Sequence, residues 1–229
     1  MAVGASGKIA RSTDNGSSWM NSTSGSNSNE LRGVTFGNNT FVAVGHNNKI
    51  VRSTDNGSSW SSSSSGVSNH YFKGVTFGNN IFEVVGQESS DDTHVKIVKS
   101  TNDGSNWTSQ DSPYYNERDL YGVTFGGNKF VAVGQSGKIV RSTNNSGTSW
   151  DNVTSGVSPY PPIGNYIFKG VTFGNNTFVA VGSSGKIIRS TDNGASWNNS
   201  TSGVSVELYG VTFGNNTFVA VGQNGTIIT

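Results

Sequence analysis

Two sets of residues recur at fixed spacing and could do chemistry. The first is a string Ser-x-Asp-x-Gly-x-x-Trp, present at residues 12–19, 53–60 and 190–197. Asn102 takes the Asp slot in the copy at 100–107, and the copy at 142–150 has Asn144 there and one extra residue. As catalytic acids or calcium ligands, Asp14, Asp55 and Asp192 would need a convergent set of partners, and no such set is visible in the sequence. The second set is the position just before each Gly-Val-Thr-Phe string, which holds Arg32, Lys73, Tyr121, Lys169 and Tyr209. A cation or a phenol in the same slot suits recognition, because Tyr offers a flat apolar ring and a hydroxyl together. Asp91, Asp92 and His94 could hold a metal, but acids on an exposed loop are ordinarily just solvated, so no metal or cofactor is assigned. Cysteine is absent, which removes thiolate chemistry.

The elements that carry these residues come from an internal repeat. Gly-Val-Thr-Phe-Gly occurs five times, starting at Gly33, Gly74, Gly122, Gly170 and Gly210, with spacings of 41, 48, 48 and 40 residues. A Gly-Asn-Asn turn or a close variant follows, then a second apolar string such as residues 41–45, then a third such as 49–52 that runs into the Ser-x-Asp string. No segment has a useful helical period. Asn-Asn and Asp-Asn-Gly accept the positive φ of hairpin turns. Four antiparallel strands in 40–50 residues is the unit of a propeller blade.

The rings support that unit. Ten of the 12 Phe fall in two repeat slots and all five Trp close the third turn (Trp19, Trp60, Trp107, Trp150, Trp197). So few rings per unit cannot offset the ordering of a blade by itself, which must be covered by neighbours on both faces. The second string, Phe-Val-Ala-Val, is accordingly apolar on both sides.

The Ser-x-Asp-x-Gly-x-x-Trp string resembles the Asp box, or bacterial neuraminidase repeat. The run Ala-Val-Gly-x-x-Gly-Lys-Ile-x-Arg-Ser-Thr-Asp is similar to the propeller repeats of photosystem II assembly factors. The resemblance implies an all-β propeller in which Asp14, Asp55 and Asp192 tie down backbone N–H groups of a turn and the Trp packs between blades. It also raises a sialidase activity. The arginines argue against it: of six, Arg11, Arg52, Arg141 and Arg189 share one repeat slot, leaving only Arg32 and Arg118 for the triad that sialidases use, and their Arg-Ile-Pro is missing. No paired-carboxylate geometry is evident either. The chain is read as a non-enzyme.

The expected architecture is a single domain over 1–229, a five-bladed β-propeller of four-stranded antiparallel blades. Its ring is closed by the N- and C-terminal strands, in a blade shared between residues 1–21 and 208–229. Residues 1–11 align with 219–229, so the second and third strands are present twice. A monomer with one copy displaced is expected, and a strand-exchanged oligomer is the alternative use of the surplus copy.

Comparing the copies with one another locates the variation. The loop between second and third strands and the connection to the next blade vary most, and an up-and-down blade puts both on one face. All seven Tyr lie on or beside that face. The candidate ligand-binding set is Arg32, Lys73, Tyr121, Lys169 and Tyr209 at the channel mouth, with Tyr71, Tyr115 and Tyr160 on the loops. The expected partner is a glycan or a protein; the alternative is a recently amplified or engineered array with no evolved ligand. A net charge of +1 excludes a partner held by phosphate neutralisation, so no nucleic acid is expected. No run of 18 apolar residues exists, and no membrane partner is expected.

Overall fold

The computed structural model describes residues 1–23, 29–88, 94–115, 119–156 and 166–229. Among the described residues all regular structure is β, apart from four single 3-10 turns. Six successive antiparallel sheets form. The first has β1 (Ala2–Val3), β2 (Lys8–Arg11) and β3 (Met20–Thr23). The second has β4 (Leu31–Gly37), β5 (Thr40–Gly45), β6 (Ile50–Ser53) and β7 (Ser61–Ser63). The third has β8 (His70–Gly78), β9 (Ile81–Glu88), β10 (His94–Ser100) and β11 (Thr108–Tyr115). The fourth has β12 (Leu120–Gly126), β13 (Lys129–Gly134), β14 (Ile139–Ser142) and β15 (Trp150–Val153). The fifth has β16 (Phe168–Gly174), β17 (Thr177–Gly182), β18 (Ile187–Ser190) and β19 (Asn198–Ser200). The sixth has β20 (Leu208–Gly214), β21 (Thr217–Gly222) and β22 (Ile227–Ile228).

Six blades therefore replace the five expected from sequence. The shared closing blade does not form: β1–β3 and β20–β22 are separate three-stranded sheets. Neither duplicated segment is displaced, because each is held by its own sequence neighbour. Ile9, with Met1 and Val3, packs on Leu31, Ala43 and Val51 of the second sheet. Ala220, with Phe218 and Ile228, packs on Val179 and Val181 of the fifth. A short connection closes such contacts at lower entropic cost than a join between chain ends more than 200 residues apart.

The backbone clusters into two compact units, Met1–Asp92 with Lys96–Asp111 and Thr93–Val95 with Ser112–Thr229. In the first, Val42, Val44 and Ile50 pack against Phe72, Phe82, Val84 and Trp107 of the next sheet. In the second, Val131, Val133 and Ile139 do the same against Phe168, Phe178, Ala180 and Trp197. The sequence dictates this in two ways. The hairpin between first and second strands has two consecutive residues at positive φ, as at Asn38 (46°) and Asn39 (55°) or Asn175 (49°) and Asn176 (57°). That is the geometry whose twist matches the flanking strands. And at Gly37, Gly126 and Gly174 the Gly that ends the first strand is a seat for the next sheet's Phe: a Cβ on Gly174 would lie 2.1 Å from the Phe213 ring, and one on Gly37 2.1 Å from Phe77.

Candidate functional site

The Ser-x-Asp turn is built almost wholly from its own side chains. At residues 12–19 the Ser12 hydroxyl donates to Asp14 Oδ1 (2.7 Å) and accepts from the Gly16 N–H (2.8 Å). Asp14 Oδ1 also accepts from the Ser18 N–H (2.9 Å), its Oδ2 accepts from the Ser18 hydroxyl (2.5 Å), and Trp19 Nε1 donates to the Gly16 carbonyl (3.1 Å). Asp192 repeats this with Ser190 and Ser196, and Asp55 with Ser53 and Ser59. The Ser18 hydroxyl, then the Ser18 N–H and the Ser12 hydroxyl, hold the Asp14 carboxyl down at about 2. Ser196 and Ser190 hold Asp192 at about 2 in the same way, and Asp55 is lowered by Ser59 and Ser53. Carboxylates so engaged are ionised at neutral pH and have no proton to give.

Where the turns differ is in what covers them. Trp107 (8%), Trp150 (8%) and Trp197 (4%) are buried, Trp60 is half-buried, and Trp19 is 51% exposed. The repeated arginines explain part of the burial. Arg52 Nε donates to the Asp103 carbonyl (2.9 Å) and Arg11 to Ser58 Oγ (3.1 Å), so each holds the turn of the following sheet. At Arg11 and Arg52 the shared repeat slot is thus a bracket for the neighbouring turn.

The five slot residues share a backbone irregularity. Leu31 pairs with Gly45 and Gly33 with Val44, so two residues of β4 face one of β5 and Arg32 is the extra residue of a β-bulge. Lys73, Tyr121, Lys169 and Tyr209 occupy the same register shift in β8, β12, β16 and β20. A bulge turns a side chain out of the ladder and re-aims it. The slot was legible in the sequence; the bulge was not.

Charged partners join these residues within each unit. Arg32 Nε donates to His46 Nε2 (3.0 Å) and its Nη2 to Glu30 Oε2 (3.1 Å). The His46 ring lies 4.8 Å from that of Tyr71. Burial first, and the Arg32 charge second, hold His46 below its usual pKa, so the ring is neutral near pH 7, as an accepting Nε2 requires. In the second unit Tyr121 donates to Asp119 Oδ2 (3.1 Å). Lys169 Nζ lies 3.1 Å from Glu207 Oε1 and 4.8 Å from the Tyr209 ring centre. Sequence reasoning missed Glu30, His46, Asp119 and Glu207. A signal was present: Glu30, Asp119 and Glu207 each stand two residues before a slot residue, just ahead of the first strand.

The structure thus groups Arg32 with Tyr71 through His46, and Lys169 with Tyr209. Lys73 is half-buried on β8. Tyr115 ends β11 with its side chain outside the described residues, and Tyr160, Asp91 and Asp92 also lie outside them. Among the described residues no three His, Asp or Glu side chains converge on a metal position, and no helix is long and apolar enough to cross a membrane.

No protein-family model matches the chain, and no curated protein sequence does. Solved structures do. YCF48 from Cyanidioschyzon merolae superimposes with a TM-score of 0.62 at 20% identity, over 87% of this chain and 66% of that one. YCF48 bound to D1 peptide gives 0.61 at 18% identity, over 87% of this chain and 62% of that one. The chain spans about two thirds of the length of these neighbours. Repeated four-stranded blades, bulged first strands and this likeness together make the fold a β-propeller similar to that of the photosystem II assembly factor YCF48.

Proposed function

We propose that the chain is a non-catalytic propeller of the Asp-box type that binds a protein segment through its bulged first strands and the loops beside them. The observation that carries this is the bulge itself, which five times re-aims a cation or a Tyr (Arg32, Lys73, Tyr121, Lys169, Tyr209). Each unit sets cations, carboxylates and rings side by side. A peptide backbone with mixed side chains satisfies such a row better than a uniformly charged polymer does, and Tyr and Arg are the residues that dominate protein interfaces. Tyr71, Tyr115 and Tyr160 extend the same surface on this reading. A neighbour of the same fold is seen with a peptide, which supports the choice of partner class. Asp14, Asp55, Asp192, Trp60, Trp107, Trp150 and Trp197 serve the scaffold, and the engaged oxygens of the three carboxylates support that role. The same tyrosines also suit a sugar, which is the second arm of the test.

The D1 peptide and a displayed library of random peptides are the first probes, with a glycan array beside them. Saturable peptide binding that weakens about tenfold or more, ~1.4 kcal/mol, in Tyr121→Ala and Tyr209→Ala is expected. Binding confined to glycans selects the lectin reading. No binding to either probe leaves a scaffold without an evolved ligand and removes the proposal.

A further inference from the structure

Four Asn-Gly pairs stand in the chain, at residues 15–16, 56–57, 193–194 and 224–225. Such a pair can react with itself, because Gly has no side chain to hinder its backbone nitrogen. The nitrogen attacks the Asn side-chain carbonyl. A C–N bond forms to that carbon, its bond to the amide nitrogen breaks, and ammonia leaves with the proton the Gly nitrogen has lost to solvent. Water then opens the cyclic imide at either carbonyl and leaves Asp or iso-Asp. Asp-Gly closes the same ring with loss of water, so Asp103–Gly104 shares the hazard. The reaction requires a Gly nitrogen that is free to lose its proton and swing onto the side chain.

In three of the Asn-Gly pairs that nitrogen is held by a hydroxyl. The Gly16 N–H donates to Ser12 Oγ (2.8 Å), the Gly57 N–H to Ser53 Oγ (2.8 Å) and the Gly194 N–H to Ser190 Oγ (2.9 Å). The Gly104 N–H donates to Ser100 Oγ (2.9 Å). Ser53, Ser100 and Ser190 are buried, so water does not compete for these bonds. Each hydroxyl donates its own proton to Asp14, Asp55, Asp192 or Asn102, which leaves its lone pairs for the Gly N–H. The three carboxyls sit well below their ordinary pKa and are too weak as bases to draw a proton through the hydroxyl. At residues 142–150 the Gly is preceded by Ser146, which has no side-chain carbonyl to attack. There Ser142 Oγ accepts from the Phe130 N–H instead (2.9 Å).

The fourth pair lies in a different turn, the one between second and third strands. Its middle residue has positive φ at Ser6 (55°), Ser136 (56°), Ser184 (55°) and Asn224 (58°). Three copies place a Ser there, with no amide to lose, and this one an Asn. Asn224 and Gly225 are both exposed. Among the described residues no side-chain hydroxyl accepts from the Gly225 N–H. We propose that Asn224 is a site of spontaneous deamidation, and that Ser12, Ser53 and Ser190 guard the other three pairs by holding the nitrogen that would attack. Conversion puts a new negative charge beside Gln223, whose N–H donates to the Glu207 carbonyl (2.8 Å). This inference does not depend on the ligand-binding reading.

Peptide mapping by mass spectrometry, on the whole chain aged at mildly alkaline pH, follows all four sites in one sample. In urea they should convert at similar rates, since each is Asn-Gly. In the folded chain Asn56 and Asn193 should convert at least about fivefold more slowly than Asn224, the factor for one hydrogen bond broken before reaction. In Ser53→Ala, Asn56 should speed up by at least about the same factor. Asp55→Ala removes the bonds from the Ser53 hydroxyl, the Ser59 N–H and the Ser59 hydroxyl but leaves Ser53 Oγ on the Gly57 N–H. Asn56 should therefore convert more slowly in Asp55→Ala than in Ser53→Ala, the reverse of what mere loosening of the turn would give. Circular dichroism checks that both variants are folded. Hydrogen exchange needs no variant, and the Gly225 amide of wild type should exchange faster than those of Gly57 and Gly194. Equal conversion of Asn56, Asn193 and Asn224 in the folded chain overturns the proposal. So does a Ser53→Ala chain with Asn56 unchanged, the opposite order of the two variants, or a Gly225 amide as protected as the other two.

Discussion

The turn at residues 190–197 and the turn at 12–19 have the same internal hydrogen bonds and opposite surroundings. Trp197 is 4% exposed and Trp19 is 51% exposed. The first rests on Val131 and Arg141 of the preceding sheet, and the second has no such cover among the described residues. The difference separates what is local in this repeat from what is not. The shape of the turn is set by a Ser, an Asp and a Gly within five residues. Its contribution to stability comes from the sheet before it, which supplies a Val floor and an Arg bracket.

The largest expected effect follows directly. Trp197→Ala should cost about 3–5 kcal/mol, the range for emptying a buried aromatic site. Trp19→Ala in dilute solution should stay within about 0.5 kcal/mol, as for an exposed substitution. Urea denaturation of the two variants beside wild type measures both. Equal losses would mean that the turn matters for its own sake and that the comparison is wrong.

A smaller effect comes from an acid in the apolar second strand of the third sheet. Glu83 pairs with Lys99 where Val42, Val131 and Val179 pair with an Arg. It is fully buried, and neither of its carboxylate oxygens has a hydrogen-bond partner. Burial pushes its carboxyl well above the ordinary value, and the Lys99 charge offsets this only in part. A raised acid binds its proton more tightly in the folded state. Stability is therefore fullest below the unfolded carboxylate pKa and declines as pH rises through the folded one. Glu83→Val should remove that slope and stabilise the chain at neutral pH by about 1–3 kcal/mol. Paired denaturation curves from pH 4 to 9 read it, and a destabilised variant would show that the carboxylate has a partner it needs.

The smallest effect concerns the Asp itself. Asn102 already stands in that slot, and its Oδ1 accepts from the Ser100 hydroxyl (2.9 Å) and the Asn106 N–H (2.9 Å). Asp55→Asn should keep those two bonds and reverse the third, its Nδ2 donating to the Ser59 hydroxyl as Asn144 Nδ2 does to Thr148 Oγ1, a change detectable chiefly in acid titration. Asp14 and Asp192, with folded values of about 2, contribute stability that is present above the unfolded carboxylate pKa and lost as pH falls toward 2. Carboxyl carbon shifts followed by NMR from pH 6 to 1.5 should show both titrating late; midpoints near 4 would mean that the turn does not hold its oxygens.

Much of this was legible in the residues, and for stated reasons. Asn-Asn hairpins, the Phe slots and the Trp turn repeat too regularly to mistake the unit or its strands. The slot of Arg32, Lys73, Tyr121, Lys169 and Tyr209 was visible because it precedes an invariant string. The number of blades was not legible. Residues 1–11 and 219–229 carry the same strand pattern, and a pattern alone cannot say whether two such segments compete for one sheet or each build their own. Local contacts decided it: Ile9 on Leu31 and Val51, Ala220 on Val179 and Val181. The bulge escaped notice because it is a property of pairing, and Glu83 because one carboxylate in an apolar string reads as a solvent-facing position, whereas in the fold it is fully buried.

The most direct measurement is the fluorine spectrum of 5-fluorotryptophan-labelled chain, with Trp19 assigned by its loss in Trp19→Phe. In dilute solution the Trp19 signal should show the solvent isotope shift of an exposed indole, while those of Trp107, Trp150 and Trp197 show little. A Trp19 signal as protected as that of Trp197 would contradict the account.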